Sequence, residues 1–123
     1  MVVHVYENAK KSELVNDVII AVDDEETVKE LKKWKVKTIM TDINHSSGTD
    51  RVNEASSDTD AEVIVNLQAD EPFLDPNLID MLIKEFEDPR IEMATVAGKE
   101  LNADSINDLN TVKVLLDVER FAL

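Results

Sequence analysis

The sequence predicts an α/β chain built on a doubly wound, mostly parallel sheet with helices on both faces. Three observations lead there. Five short β-branched runs alternate with stretches of helical periodicity. Most of these runs are nearly continuous in apolar residues, as strands covered on both faces require. Polar clusters follow the runs directly, at the carboxyl ends of strands where open α/β sheets bind ligands.

The first twelve residues open the order as a helix. Val2, Val5, Tyr6 and Ala9 share a helical face, although three valines, stiff at χ1, weigh against it. Residues 17–22 (DVIIAV) read as the first strand. Helix 25–35 follows, with Val28, Leu31 and Trp34 at helical spacing, Trp34 packing it onto the sheet, and Asp23 and Glu26 placed as a capping box. Residues 36–41 (VKTIMT) form the second strand. A weaker helix over 49–56 carries Val52 and Ala55, and residues 62–68 (EVIVNLQ) form the third strand. The clearest helix runs over 76–87: Asp75 suits the N-cap and Pro76 the first helical position. Leu78, Ile79, Leu82, Ile83 and Phe86 make one apolar stripe, and Asp88-Pro89 stops it. Residues 92–97 (EMATVA) and 111–117 (TVKVLLD) close the order as strands, with a helical turn near 104–109 between them. The expected order is α-β-α-β-α-β-α-β-β within one domain.

Composition removes several functions. The 27 acidic and 13 basic residues give a formal charge of −14, which argues against a nucleic-acid or anionic-membrane surface, because phosphate contacts need clustered Lys and Arg. An apolar share of 43% is enough for a core and argues against disorder. Without cysteine there is no disulfide framework, thiolate metal site or Cys nucleophile. The longest apolar runs, about five residues near 18–22, exclude a membrane span and a signal-peptide core. The expected compartment is the cytoplasm.

Three clusters sit at the predicted strand ends: Asp23-Asp24, residues 45–51, and residues 68–72. A carboxylate fixed at a strand end, here Asp70, suits Mg²⁺, which takes one or two protein carboxylates and completes its shell with water and phosphate oxygens. The alternative is that Asp70 and Glu71 cap a turn before Pro72. In His45-Ser46-Ser47-Gly48-Thr49-Asp50-Arg51, small residues around Gly48 let backbone N–H groups approach an anion at a helix N-terminus, with Arg51 within reach of a phosphate or sugar oxygen. Equally concrete is Ser47 as N-cap, Asp50 as its partner and Arg51 solvated. Neither G-x-x-x-x-G-K-[ST] nor G-x-G-x-x-G is present, so ATPase and dinucleotide functions lack their motifs. His4 and His45 have no second His or Cys at zinc spacing; His4 reads as a helix-surface residue. Lys113, mid-strand, requires a partner for its charge.

Taken together, HSSGTDRV at 45–52 followed by VIVNLQADEP at 63–72 resembles the CMP-Kdo synthetase (3-deoxy-manno-octulosonate cytidylyltransferase) family. MVVHVYENA, VIIAVDD, MATV and NTVKVLLDVERFAL extend that resemblance along the whole chain. It implies a nucleotide-diphospho-sugar transferase-like fold and a Mg²⁺-dependent reaction in lipopolysaccharide synthesis. The anomeric hydroxyl of Kdo attacks the α-phosphate of CTP, and pyrophosphate leaves. By the same likeness Asp70 ligates Mg²⁺, Gln68 holds the sugar or nucleotide, and Ser47, Gly48 and Arg51 contact the nucleotide.

The chain also departs from the family pattern. Family members open with a strand and a basic triphosphate-gripping loop that precede the part matched here, and they continue past Phe121-Ala122-Leu123 into a half bearing a second metal-binding Asp. The resemblance therefore implies a partial nucleotidyltransferase domain over 1–123, inactive alone, that forms a homodimer or associates through exposed sheet edges. Ala69 and Arg120 stand where the family has glycine; a Cβ at 69 interferes if that position needs positive φ or close substrate approach. Two alternatives come from other classes. One is a phosphoacceptor receiver domain using Asp23, Asp24, Asp70, Thr95 and Lys113, in which HSSGTDR has no role. The other is a non-catalytic half-fold.

Overall fold

The computed structural model describes residues 1–98 and 106–122. Its elements run α1 (Val2–Ala9), β1 (Ile20–Val22), α2 (Glu25–Lys32), β2 (Thr38–Met40), α3 (Gly48–Ser56) and α4 (Pro76–Glu85). β1 and β2 pair in parallel, with Ile20 opposite Thr38 and Val22 opposite Met40. A parallel pair cannot be closed by a tight turn, so α2 makes the crossover and packs on β2.

Burial decides the ambiguous first segment. Val5, Tyr6 and Ala9 are buried along one side of α1, and tertiary packing of such a face outweighs the weak propensity of valine. The core joins Tyr6 of α1, Val22 of β1, Leu31 of α2 and Val36, with Val2, Val3, Val18, Ile20 and Val28 packed against them. The Tyr6 hydroxyl accepts from the Lys37 N–H at 3.4 Å, so α1 also touches the approach to β2. α4 lies against α1, and its Ile79 is 1% exposed. Asp80 ties the same helix to the segment after α1, accepting from Ser12 Oγ at 2.5 Å and from the N–H groups of Glu13 and Leu14 at 3.2 and 3.1 Å.

Local chemistry sets the helix starts. Ser47 Oγ accepts from the Asp50 N–H, and an Asp75 carboxylate oxygen accepts from the Asn77 N–H. The N-cap of α2 is Asp24 and not Asp23: its carboxylate accepts from the Thr27 N–H at 2.9 Å. Trp34 also departs from expectation. It lies beyond the end of α2 and is 65% exposed, because Leu31 and Val28 already fill the contact with the core.

The larger correction concerns the sheet. Five strands were expected, yet among the described residues only β1 and β2 form a ladder, with one isolated antiparallel bridge between Leu116 and Ala122. Residues 62–68 keep the burial of a strand, with Val63, Val65 and Leu67 half-buried and their neighbours exposed, the period-two alternation of an extended chain. They have no ladder partner among the described residues. A strand is a pairing, and apolar composition supplies only one side of it. Residues 92–97 and 111–117 fail likewise; Val112 is 93% and Leu115 72% exposed. Of the turn expected near 104–109, Ile106 and Asn107 are helical, while 104 and 105 lie outside the described residues.

Candidate functional site

β1 ends at Val22 and β2 at Met40, so Asp23 and Thr41 stand side by side at the carboxyl end of the parallel pair. α3 packs against β1 at this end, and its first turn carries the residues singled out by sequence. Gly48 and Thr49 are its first two residues; their N–H groups have no intrahelical acceptor and no partner among the described residues. A Cβ placed on Gly48 would stand 3.8 and 3.9 Å from the Gln68 Nε2 and Oε1 atoms, so the Gln68 carboxamide lies directly over this glycine. One residue on, the Asn66 amide reaches Thr49 Oγ1 at 3.5 Å. Two residues now distant by twenty in sequence thus form one surface at the strand ends.

Arg51 turns the other way. Its Nη2 donates to Asp23 Oδ2 at 2.7 Å, and its Nη1 donates to Thr41 Oγ1 at 2.8 Å and to the Asp42 carbonyl at 3.4 Å. Three of its five N–H donors are thereby used, and its side chain is only 19% exposed. The solvated arginine of the alternative expectation is not what the fold produces. Ser47 does cap α3, and it donates to Asp50 Oδ2 at 2.7 Å, alongside Ser46 at 3.0 Å. These two hydroxyls hold the Asp50 carboxyl below its usual pKa.

Asp70 occupies a turn immediately after Gln68, closed by a 3.3 Å bond from the Glu71 N–H to the Gln68 carbonyl. Its carboxylate is exposed and has no hydrogen-bond or ion-pair partner among the described residues. One residue, Ala69, separates it from Gln68, the side chain that rests on Gly48. Ala69 does not have positive φ, so its methyl group meets no backbone penalty; Arg120, by contrast, holds φ 71°, the left-handed conformation in which glycine is favoured.

Sequence reasoning did not foresee the supporting shell. Thr41 is buried and donates to the Val22 carbonyl at 3.0 Å. Glu54 accepts from the Asp42 N–H at 2.9 Å and pairs with His45; the Asp42 amide, then His45, lowers its pKa. The loop entering α3 is therefore fastened at both its start and its end. The one available signal was Arg51 itself, a lone cation among acidic strand ends. His4 is exposed on α1 as expected. The receiver-domain arrangement does not form: Asp23 pairs with Arg51, and the Lys113 ammonium donates to the Asp108 carbonyl.

Comparison with known proteins gives a consistent picture. A family model described as cytidylyltransferase matches residues 1–123. The 3-deoxy-manno-octulosonate cytidylyltransferase of Geobacter sulfurreducens is 37% identical over 124 residues, covering 100% of this chain and 50% of that protein. Its namesake from Geotalea daltonii is 40% identical over 124 residues, covering 100% and 49%. The namesake from Bdellovibrio bacteriovorus is 40% identical over 118 residues, covering 95% and 47%. The solved structure of CMP:2-keto-3-deoxy-manno-octonic acid synthetase complexed with CTP superposes with a TM-score of 0.88 at 32% identity, covering 99% of this chain and 51% of that one. The chain spans about half the length of the curated relatives it matches.

Proposed function

Because the chain belongs to the cytidylyltransferase family, we propose that it carries the CTP-binding part of an enzyme that joins CTP to Kdo, releasing CMP-Kdo and pyrophosphate. The observation that supports this best is the Gln68 carboxamide lying over Gly48, beside two helix-start N–H groups at the carboxyl end of a parallel strand pair. In this reading the Gly48 and Thr49 amides receive phosphate or ribose oxygens. Ser47 shapes the approach, and Gln68 hydrogen-bonds the nucleotide or sugar. Arg51 contributes positive charge, with two N–H donors still free of protein partners among the described residues. In the reaction the anomeric oxygen of Kdo forms a bond to the α-phosphorus, and the bond to the pyrophosphate oxygen breaks. Positioning and charge neutralisation are the protein's contribution.

Asp70 is the residue we assign to Mg²⁺. No group of three His, Cys, Asp or Glu among the described residues could hold a metal. A single unpartnered carboxylate nonetheless fits an ion that draws most of its shell from water and phosphate. When bound, the ion would neutralise charge on the phosphates. Hydrogen exchange tests the proposal. CTP with Mg²⁺ should protect the amides of residues 47–51, and Asp70→Asn should abolish the Mg²⁺ dependence of that protection. Absence of protection at saturating CTP would refute it. With Kdo added, the chain alone is expected to release no pyrophosphate, since no group of three metal-ligating side chains joins Asp70 among the described residues; steady release would overturn that part.

Self-association belongs to the same proposal. Ile20 N–H and Val22 C=O bond toward β2, so the Ala21 groups between them face the opposite, unladdered edge. Val112 and Val118 are almost fully exposed. Sedimentation should show concentration-dependent oligomers, and a monomer at high concentration would count against them. Among the described residues no helix is long and apolar enough to cross a membrane; a cytoplasmic setting follows from CTP as the proposed substrate.

A further inference from the structure

The ion pair at the strand ends has a consequence for the candidate site. We infer that Asp23 is a positioning residue: through Arg51, it sets the pose of the first turn of α3 against Gln68. The functional part of this inference rests on the proposed CTP site.

Arg51 lies one turn into α3, where its own N–H bonds to the Ser47 carbonyl at 3.3 Å. Fixing its guanidinium therefore fixes the turn that contains Gly48 and Thr49. The anchor points follow different strands. Asp23 follows β1 and Thr41 follows β2, and the Thr41 hydroxyl already donates to the Val22 carbonyl at 3.0 Å. With its one proton committed, that oxygen can only accept from Arg51, which orients the guanidinium plane. Asp23 then supplies the charged contact, at 2.7 Å, and charge-assisted bonds of this kind are the strong ones. Asp23 is itself held on both sides, by Val22 in the ladder and by Asp24 as the α2 N-cap. A rigid carboxylate at this point transmits the geometry of the sheet to the loop that meets Gln68.

The test compares the chain with Asp23→Ala, Asp23→Asn and Asp23→Glu, with exposed Glu30→Ala as control. In the ligand-free chain, Asp23→Ala should raise hydrogen exchange at Asp50 and Arg51, whose N–H groups bond to Ser47, by about tenfold while residues 76–85 stay within about twofold. CTP affinity should fall by about tenfold in Asp23→Ala, less in isosteric Asp23→Asn, and recover to within about threefold in Asp23→Glu. Unchanged exchange at Asp50 and Arg51, or selective loosening with unchanged CTP affinity, would overturn the inference. Should Asp23→Ala loosen 76–85 equally, Asp23→Asn decides: a selective rise at Asp50 and Arg51 supports the inference and its absence overturns it. A wild-type chain that binds no CTP, yet loosens selectively in Asp23→Ala, would retain Asp23 as the anchor of this turn and remove the proposed function.

Discussion

Replacing Gly48 by alanine separates folding from ligand approach at one atom. In the free chain the new methyl group would lie 3.8 and 3.9 Å from the Gln68 carboxamide atoms, which is ordinary van der Waals contact. Gly48 is not at positive φ, so alanine inherits no backbone strain. Within helices alanine exceeds glycine by roughly 0.5–1 kcal/mol, and by less at a first helical position; the urea midpoint of Gly48→Ala should therefore hold or rise slightly. Binding should respond in the opposite direction. The methyl group projects from the turn whose amides are proposed to meet the nucleotide, and excluding that approach should weaken CTP by about tenfold, or about 1.4 kcal/mol. Urea denaturation followed by circular dichroism gives the first quantity and calorimetric titration with CTP the second. Wild-type affinity would refute close approach at Gly48, while a clearly lowered urea midpoint would refute the spacing to Gln68.

Arg120→Gly should stabilise the chain by about 0.5–1 kcal/mol, because relief of a left-handed non-glycine residue (φ 71°) is partly offset by the greater backbone entropy of unfolded glycine; thermal or urea unfolding reads this directly. Ile79→Ala, at a side chain 1% exposed, should cost about 3 kcal/mol and loosen α1 together with α4, as seen by exchange. Stability should also fall in acid. Asp80 is held below its usual pKa first by the Ser12 hydroxyl, Asp24 by Thr27, and Asp42 by the Asn44 amide. A depressed folded pKa contributes fully above the unfolded value of about 4 and is lost as pH drops through the folded value. The urea midpoint should stay flat from about pH 7 to 5 and decline below about 4, with a shallower decline in Asp80→Asn.

Much of this molecule is written in short sequence intervals. Asp75-Pro76 starts α4 and Ser47 starts α3 because a capping side chain and the N–H it accepts from lie two or three residues apart, and no distant group can change that spacing. The motif pair HSSGTDR and QADEP likewise identifies the family before any coordinate is known. The assignment of Asp23 as helix cap was off by one residue, since Asp23 and Asp24 are chemically alike and only the direction of the chain leaving β1 distinguishes them.

Pairing over long intervals was beyond the sequence. Arg51 finds Asp23 across 28 residues, and a linear chain offers it many other acids; the parallel register of β1 and β2 makes this one the neighbour. The run 62–68 has every residue a strand needs and no ladder partner among the described residues. Trp34 has the spacing of a core residue and stays exposed because smaller side chains reach the sheet first. Sequence alone thus determined helices α2 to α4, the family and the identity of the polar groups, for the helices depend on contacts within a few residues and the motifs on residue order. The ladder, the anchoring of Arg51 and the surface at Gly48 were decided only by tertiary structure, where backbone and charge must find partners that chain order does not name.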